Sequence, residues 1–325
     1  LVLPALLLVV IYLVASAVSV WPRVSFWGSY RRVQGAYTVL AYVAVCFTLC
    51  TTLRRRDQVE RLVMFAVLTS LPVAGYALMQ HLGVDPITWG QDPSMRVAST
   101  LGNPIFAGAY LIMVIPLTLR QATDVLLDIR SGSSVEPTQL VRGGLYVFLL
   151  LLQLTALVFT QSRGPFAGLL GGVFFFLLLA AALKNRRDLG VAVIAVAVLA
   201  GVLLGVLNLP DSPLAAVREL PYVGRLSDIV GSSGLESRFL IWDGAARMTQ
   251  SSPLRSAIGH GPDVMMVAYQ PYVSPGFAAR GGRGFSDDRC HNAIWQALVT
   301  RGIAGALVDL LLLGSLIYAG LRALG

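Results

Sequence analysis

Long apolar runs separated by short polar connections fill the chain up to about residue 208 and again from about residue 293. A helix needs about 20 mostly apolar residues to cross a hydrocarbon core of roughly 30 Å. Because lipid offers the backbone no hydrogen-bond partner, such a run forms a helix. The pattern predicts eight spans, which lie at about residues 1–20, 37–53, 59–80, 104–120, 143–161, 164–183, 189–208 and 293–321.

Composition supports the same fold class. The chain is 56% hydrophobic and only 13% charged, whereas a soluble globular domain carries about 25% charged residues. The short alternating segments that are typical of a membrane β-barrel are missing from the sequence. We therefore predict an all-α polytopic membrane protein. The chain begins without Met inside an apolar run and stops directly after another, so both ends are expected to be trimmed.

Basic clusters follow every second span and predict the orientation of the chain. They occur at residues 54–56, in the 121–142 connection, at residues 184–187 and at Arg322. Since cytoplasmic loops collect Lys and Arg, these connections are expected in the cytoplasm. The net charge of +8 is then a feature of topology and does not indicate nucleic acid. The opposite side is expected to hold the segments 21–36, 81–103, 162–163 and 209–292.

The pattern divides the chain into three predicted parts. These are a bundle of about seven spans over 1–208, an external loop domain over 209–292, and a long C-terminal helix over 293–325. The last span is longer than one crossing needs, and it is expected to bend near Gly302 and Gly305.

Residues 236–250 of the loop domain have the period of an amphipathic helix. Its apolar positions are Phe239, Leu240, Trp242 and Met248, and its polar positions are Arg238, Asp243 and Arg247. A helix of this kind beside a membrane is expected to lie along the interface or to cap the bundle.

Arg163 occupies a very short external turn between two apolar runs. A guanidinium near hydrocarbon costs a few kcal/mol unless it reaches the interface or is paired. It either contacts lipid headgroups there, or it binds an anion, since its planar fork matches phosphate oxygens. Arg238 lies near a helix N-terminus, where the macrodipole does not favour a cation. It is either a solvated helix charge or the partner of a specific anion.

His291 lies where the loop domain meets the last helix. Histidine changes charge near neutral pH and can act as a general base, or it can simply bond to its own loop. Asp287 or Asp288 could orient the ring or cap the helix. The three residues could also hold a metal, although their spacing does not demand one. Cys290 is adjacent to His291, so the two side chains diverge and direct activation of the thiol is not expected.

Other motifs are weaker. The sequence Gly259-His260-Gly261-Pro262 predicts a tight turn, with His260 as a second candidate base. Asn103 is expected to cap the fourth span. The sequence has no phosphate-binding loop, dinucleotide-binding glycine pattern or zinc spacing. Charges are nearly absent from the centres of the spans, which argues against an ion-coupled transporter.

The order of these motifs resembles the O-antigen ligase and O-antigen polymerase superfamily of polyprenyl-linked glycan transferases. The matching residues are Trp27-Gly28-Ser29 with Arg32 and Gly35, Ser99-Thr100-Leu101-Gly102-Asn103-Pro104, Ser162-Arg163-Gly164, Ser237-Arg238 with Trp242, Pro253, Gly259-His260-Gly261-Pro262, and His291-Asn292 followed by Gly302 and Gly305. Together they extend over nearly the whole chain.

The resemblance implies a GT-C-type helical bundle in the bacterial plasma (inner) membrane, with its active loops facing the periplasm or cell exterior. It implies transfer of a glycan from undecaprenyl diphosphate to a glycolipid, glycan or protein acceptor, with inversion and without a metal or other cofactor. Arg163 and Arg238 would hold the diphosphate, and His291 would activate the acceptor hydroxyl. The further residues expected to contact substrate are Arg32, Asn103, Ser162, Gly259, His260, Gly261 and Asn292.

Two other classes of function remain open at this point. A transporter or flippase for a polyprenyl-linked or anionic lipid could use the same external arginines to bind a headgroup. A structural membrane subunit would need none of the three candidate residues.

Overall fold

A computed structural model describes the chain apart from a set of short gaps. Those gaps are Arg31, Thr88, Gly90, Gln91, Pro93, residues 133–135, Pro210, residues 221–223, residues 225–232, Phe277, residues 279–286 and Gly325. The described residues form helices and turns and contain no β-strand. Parts of the predicted loop domain, 209–292, therefore lie outside the described residues.

The helices are numbered here in chain order. They are α1 Val2–Ala17, α2 Pro22–Trp27, α3 Ala36–Thr52, α4 Arg56–Leu68, α5 Ser70–His81, α6 Pro104–Ser131, α7 Pro137–Phe159, α8 Arg163–Leu183, α9 Arg187–Leu207, α10 Ala215–Arg218, α11 Ser233–Thr249, α12 Pro253–Ile258, α13 Met265–Ala268 and α14 Ala293–Leu324. Short 3-10 helices occur at Ser99–Leu101 and Gln270–Tyr272.

The apolar helices confirm the predicted fold class. Within the described ranges, six helical stretches are long and apolar enough to cross a membrane, with α4 and α5 together forming one of them. Two shorter apolar helices, α1 and α3, account for the remaining predicted positions. The protein is an all-α polytopic membrane protein. By its internal contacts the chain divides into unit 1, which is Leu1–Arg54 with Ser232–Gly325, and unit 2, which is Arg55–Gly231.

The amphipathic helix predicted at residues 236–250 is present as α11, and one of its faces packs within unit 1. Ile241, Ala245 and Met248 are buried against Tyr269 and other apolar side chains of unit 1. They follow the i, i+4, i+7 spacing of one helical face. Phe239, one of the predicted apolar positions, lies off that face and is 57% exposed.

The last helix bends at Gly302, as the sequence predicts. This glycine has φ 65° and ψ −166° inside α14. A side chain there would collide with the backbone of Ala257 and Ile258, and one at Gly259 would collide with the backbone of Thr300. Only glycine has both the required torsion angles and the small size. The close approach brings the end of α12 against the bend.

The bend also provides hydrogen-bond acceptors for the neighbouring loop. The amide of His260 donates to the carbonyl of Val299 at 2.9 Å, and the amide of Gly261 donates to the carbonyl of Thr300 at 2.9 Å. In an unbroken helix, these carbonyls would accept from amides four residues further along. The loop therefore satisfies polar groups that the bend frees.

Unit 2 is built around α5, α6 and α7. The amide nitrogen of Gln153 donates to Ser70 Oγ at 2.7 Å and to Thr118 Oγ1 at 2.9 Å, and all three residues are buried. These bonds join the three helices by polar contacts that would be costly to break in an apolar surrounding.

Helix α6 is longer than the predicted fourth span, which ended at residue 120. It continues to Ser131, through a segment that the hydropathy pattern predicts as a loop. Gln121, Ala122 and Val125 are buried in this extension, and Arg120 pairs with Glu60 at 2.8 Å. Hydropathy depends only on local composition and does not include these contacts. The predicted end of the helix at residue 120 was therefore wrong.

Unit 1 carries an ion pair within its last predicted span. Arg301 donates from both terminal nitrogens to Asp309, at 2.7 and 2.8 Å, and its guanidinium lies 4.5 Å from the centre of the Tyr12 ring. Arg301 is only 7% exposed. The expectation that charges are nearly absent from the spans overlooked this pair. Charges at membrane depth are costly, and they persist where they are paired and often where they serve function.

We predict that Gly302→Ala destabilises the protein, because alanine at this φ would be strained and would collide with α12. The expected loss is at least about 2 kcal/mol of unfolding free energy, measured by thermal unfolding in detergent. Gly314→Ala is the matched control, since it lies in the same helix and a side chain there meets open space. Equal melting temperatures for the two variants would contradict the role given to the bend.

Candidate functional site

The carboxylate of Asp263 organises the loop between α2 and α3 in unit 1. Its Oδ2 atom accepts from the amide of Ser29 at 2.6 Å and from the amide of Gln34 at 3.1 Å. Two backbone donors on one oxygen fix the ends of the turn between these residues. The loop that follows α2 is thus held against the segment that follows α12.

Arg32 lies in this fixed loop and forms a bidentate pair with Asp288. Its Nε is 2.6 Å from Oδ2, and a terminal nitrogen is 3.1 Å from Oδ1. Burial pushes the pKa of Asp288 upward, but the hydrogen bonds and charge of Arg32 together with the charge of Arg289 outweigh burial, so this pKa lies below its ordinary value. The same bonds raise the pKa of Arg32. The pair positions the segment just before His291, and substrate contact by Arg32 stays a prediction.

His291 has an unusual backbone conformation and an accessible ring. Its φ is 50°, a value that non-glycine residues adopt rarely and that often marks functional positions. The side chain is 47% exposed, and Nε2 lies 3.6 Å from Asp287 Oδ1. A carboxylate this close can orient the ring, and such contacts often tighten only when substrate binds. Of the two aspartates, Asp287 is therefore the one beside the histidine.

Asn292 caps the last helix. Its Oδ1 atom accepts from the amides of Ile294 and Trp295, at 2.9 and 3.2 Å. This bond pattern satisfies two of the free amides at the start of α14. The cap fixes the point at which the chain leaves the loop and enters the helix, and it thereby fixes His291. A substrate contact by Asn292 stays a prediction.

Cys290 serves packing. The residue is fully buried, and its sulfur lies 3.6 Å from the sulfur of Met265. Burial, with a smaller contribution from Asp287, raises the pKa of the thiol to about 12. The thiolate form is thus negligible at neutral pH, and Cys290 is not a nucleophile.

The backbone of Cys290 links α11 to the histidine segment. The indole Nε1 of Trp242 donates to the Cys290 carbonyl at 2.8 Å. Arg238 precedes Trp242 by four residues and shares its helix face. This one bond therefore joins the helix that carries Arg238 to the residue next to His291.

Arg238 differs from the other arginine of α11. Arg247 pairs with Asp243 at 2.7 Å, whereas Arg238 is exposed and has no carboxylate partner in the part of the chain that the structure describes. An exposed guanidinium without a protein partner can receive an anionic ligand with its whole donor fork.

The turn predicted around His260 is present, and it is buried. His260 is 5% exposed, and its carbonyl accepts from Ser19 Oγ at 2.9 Å and from the amide of Val20 at 3.2 Å. Gly259 and Gly261 are also buried. Arg255 donates to the carbonyl of Gly259 at 3.1 Å. The structure gives all three turn residues a packing role, and contact with substrate stays a prediction.

In unit 2, Arg163 is the first residue of α8, directly after the buried Ser162. The turn before it is clamped by Arg96, whose Nε donates to the Thr160 carbonyl at 3.2 Å and whose terminal nitrogen donates to Ser162 Oγ at 3.3 Å. The amide of Val97 adds a bond to the Phe159 carbonyl at 3.2 Å. Arg163 thus lies at a helix N-terminus, where free amides and the macrodipole favour an anion.

Arg96 is a residue that the sequence pattern does not single out. Its only signal was a basic side chain in a loop expected outside the cytoplasm. The contacts that give it a role come from Thr160 and Ser162, which are more than 60 positions away. Asn103 caps α6 as predicted, with Oδ1 accepting from the amide of Ile105 at 2.9 Å. A substrate role for Asn103 or for Ser162 stays a prediction.

Residues 148–309 match the family described as O-antigen ligase. These residues place the chain in the O-antigen ligase superfamily. The superfamily comprises membrane glycosyltransferases that act on a polyprenyl-linked glycan and an acceptor. Neither a curated protein nor a solved structure matches the chain.

The O-antigen ligase match includes all three residues expected to carry the chemistry. Arg163, Arg238 and His291 lie within 148–309, whereas Arg32 and Asn103 precede it. The match also includes Arg301 and Asp309. In the described ranges, no three His, Cys, Asp or Glu side chains gather in a way that could hold a metal ion. The permanently charged cationic side chains described above, including Arg163 and Arg238, are all arginines.

We predict that this O-antigen ligase superfamily member loses stability in mild acid through His260. Burial and the nearby Arg255 charge lower the pKa of His260 to about 4, against about 6.5 in the unfolded chain. Between pH 6.5 and pH 4, the His260 imidazole is protonated in the unfolded chain but mostly neutral in the folded chain. Stability is therefore fully present above pH 6.5 and falls as the pH drops toward 4.

The expected loss between pH 7 and pH 5 is about 2 kcal/mol, measured by thermal unfolding in detergent. In His260→Gln this part of the pH dependence should disappear. If the variant and the wild type lose the same stability over this range, the histidine is not the group responsible.

Proposed function

We propose that the chain transfers a glycan from undecaprenyl diphosphate to an acceptor hydroxyl at the outer face of the bacterial inner membrane. The observation that carries the proposal is the bond from Trp242 to the Cys290 carbonyl. It ties Arg238, which has no carboxylate partner among the described residues, to His291, an exposed histidine in a strained conformation. A cation for a leaving diphosphate and a base for an alcohol are the two groups that this reaction needs.

In the proposed reaction, the acceptor oxygen attacks the anomeric carbon of the first sugar. The new bond joins that carbon to the acceptor oxygen, and the bond between that carbon and the diphosphate oxygen breaks. The leaving undecaprenyl diphosphate keeps the electron pair. His291 accepts the proton of the acceptor hydroxyl at its ring nitrogen, while Asp287 orients the ring and stabilises the resulting positive charge.

Arginine side chains stabilise the charge that develops on the leaving group. A guanidinium in a region of low dielectric acts strongly on phosphate oxygens and needs little reorganisation during the reaction. Arg238 takes this role in unit 1. Arg163 receives the same role from the family resemblance, and its position at the N-terminus of α8 suits an anion. These cations take the place that a divalent metal has in other glycosyl transfers, so we propose a metal-independent reaction.

A single displacement of this kind inverts the anomeric configuration. No covalent glycosyl intermediate forms, because the acceptor itself attacks. Cys290 is buried and protonated and offers no alternative nucleophile. We propose a glycolipid as the acceptor, in the manner of an O-antigen ligase. A growing glycan or a protein would use the same chemistry at the same bond.

We predict that Arg163→Gln, Arg238→Gln and His291→Gln each reduce glycan transfer by about 100- to 1,000-fold, since each removes a group that acts on the transition state. Transfer is measured with purified protein in vesicles, lipid-diphosphate-linked glycan and acceptor. Melting temperatures of the Arg238 and His291 variants should stay near the wild-type value, because both side chains are exposed.

The matched control is Arg247→Gln. Arg247 lies in the same helix as Arg238 and is exposed, but it is paired with Asp243. Its loss should leave transfer within about twofold of the wild type, because surface ion pairs contribute little. Wild-type transfer by the His291 variant would remove the proposed base. An equal loss of glycan transfer in the Arg238 and Arg247 variants would contradict a specific role for Arg238, because any loss of charge on α11 would then reduce transfer.

A further inference from the structure

Unit 1 encloses a polar cavity at the level where α1, α3 and α14 meet the external segments. Its volume is about 270 Å³, and its wall includes Tyr12, Gln34, Tyr42, Asp263, Arg289 and Arg301. This is slightly below the usual range of small-molecule pockets, about 300–1,000 Å³. His291 does not line it, so the cavity is distinct from the residues that the proposed reaction uses.

The charges around the cavity cancel. Arg301 is paired with Asp309, and Asp288 is paired with Arg32. The remaining charges in the wall are the guanidinium of Arg289 and the carboxylate of Asp263. A site for a diphosphate would carry an excess of positive charge. The balance here favours an uncharged polar ligand.

One buried donor in the wall has no partner. Both terminal nitrogens of Arg301 are used by Asp309, but its Nε is buried and makes no hydrogen bond in the described part of the chain. The residue itself is more than nine-tenths buried. An unsatisfied buried donor costs about 1–3 kcal/mol. The pair with Asp309 holds this guanidinium in the wall in spite of that cost.

The wall of the cavity offers both a hydrogen-bond acceptor and a hydrogen-bond donor. Asp263 uses Oδ2 for two backbone amides, while its other oxygen makes no bond within the described ranges. Arg289 uses one terminal nitrogen to bond the side-chain oxygen of Gln34, which leaves the Gln34 amide nitrogen as a donor. A hydroxyl group both donates and accepts, so it matches such a wall better than a carbonyl or an ammonium group.

The rim of the cavity is partly apolar. Tyr42 is 70% exposed at one edge, and Val39 lies one helical turn away on the same face of α3. A sugar ring has hydroxyls at its edge and C–H groups on its faces, so it can use a polar wall and an aromatic rim together. We propose that this cavity is a subsite for one uncharged sugar ring of a glycan substrate. This inference rests on the proposed function, and the sugar comes from the donor or from the acceptor.

The test fills the cavity with a larger apolar side chain. Val39→Phe places a ring in the wall, while Val45→Phe makes the same change at an exposed position of α3 that does not line the cavity. Transfer kinetics are measured with donor and acceptor varied separately. Val39→Phe should raise the KM of one glycan substrate by about tenfold or more, and Val45→Phe should match the wild type. The substrate whose KM rises is the source of the sugar.

A second measurement does not depend on transfer. The probe is the free oligosaccharide released from the lipid-linked donor by mild acid, alongside the deacylated acceptor glycan, and binding is followed by saturation-transfer NMR. Binding to wild type and Val45→Phe but not to Val39→Phe supports the subsite even if no transfer occurs. In that case the proposed function fails while the subsite stands.

Tyr42→Ala is a second variant that keeps the test decisive if Val39→Phe does not fold. It removes an exposed ring from the rim and should weaken binding of the same oligosaccharide. Binding and KM that stay at wild-type values in Tyr42→Ala and in a folded Val39→Phe overturn the inference. Binding that is lost equally in Val39→Phe and Val45→Phe also overturns it, because the effect would then not belong to the cavity.

Discussion

The bend of α14 at Gly302 is the constraint on which the loops of unit 1 depend. Two glycines, Gly259 and Gly302, allow the backbone of one segment to approach that of the other so closely that no side chain fits between them. The carbonyls freed by the bend accept from the amides of the 260–261 turn. This turn also bonds to Ser19 and Val20 at the end of α1. Short polar contacts thus join the last helix, the loop and the first helix.

The arginines discussed above fall into two groups. Some are fully engaged with the protein: Arg32 holds Asp288, Arg96 clamps the turn before α8, and Arg301 pairs with Asp309 next to the bend. Such bonds position loops that carry few apolar side chains. Arg238 has no carboxylate partner among the described residues and is exposed. The paired arginines fix loops within each unit, and the exposed guanidinium of Arg238 is available to an anion. The arginines of this chain therefore include some that stabilise loops and at least one that is exposed and can bind an anion.

The sequence predicted the features that depend on local pattern. The eight apolar runs, the bend at Gly302 and the cap at Asn103 all follow from hydropathy, glycine and capping chemistry, and the structure confirms them. The length of α6 was mistaken, because its extension is stabilised by contacts with Glu60 and by burial of Val125.

Long-range pairing was the part that the sequence did not reveal. Arg32 and Asp288 are 256 positions apart, and no local pattern joins them. The pair of Arg301 with Asp309 was overlooked because only a bend at Gly302 lets side chains eight positions apart meet in this way. Its position beside a polar cavity gives a physical reason for retaining charges at membrane depth.

The stoichiometry of the reaction tests the central claim most directly. Purified wild-type protein in vesicles is given doubly labelled donor, with one label in the glycan and one in the undecaprenyl diphosphate, together with acceptor and a chelator. We expect one undecaprenyl diphosphate released for each glycosidic bond formed, with an inverted anomeric carbon. Donor that crosses the bilayer intact, with both labels still joined and no glycosylated acceptor, would contradict this expectation and would indicate a lipid transporter.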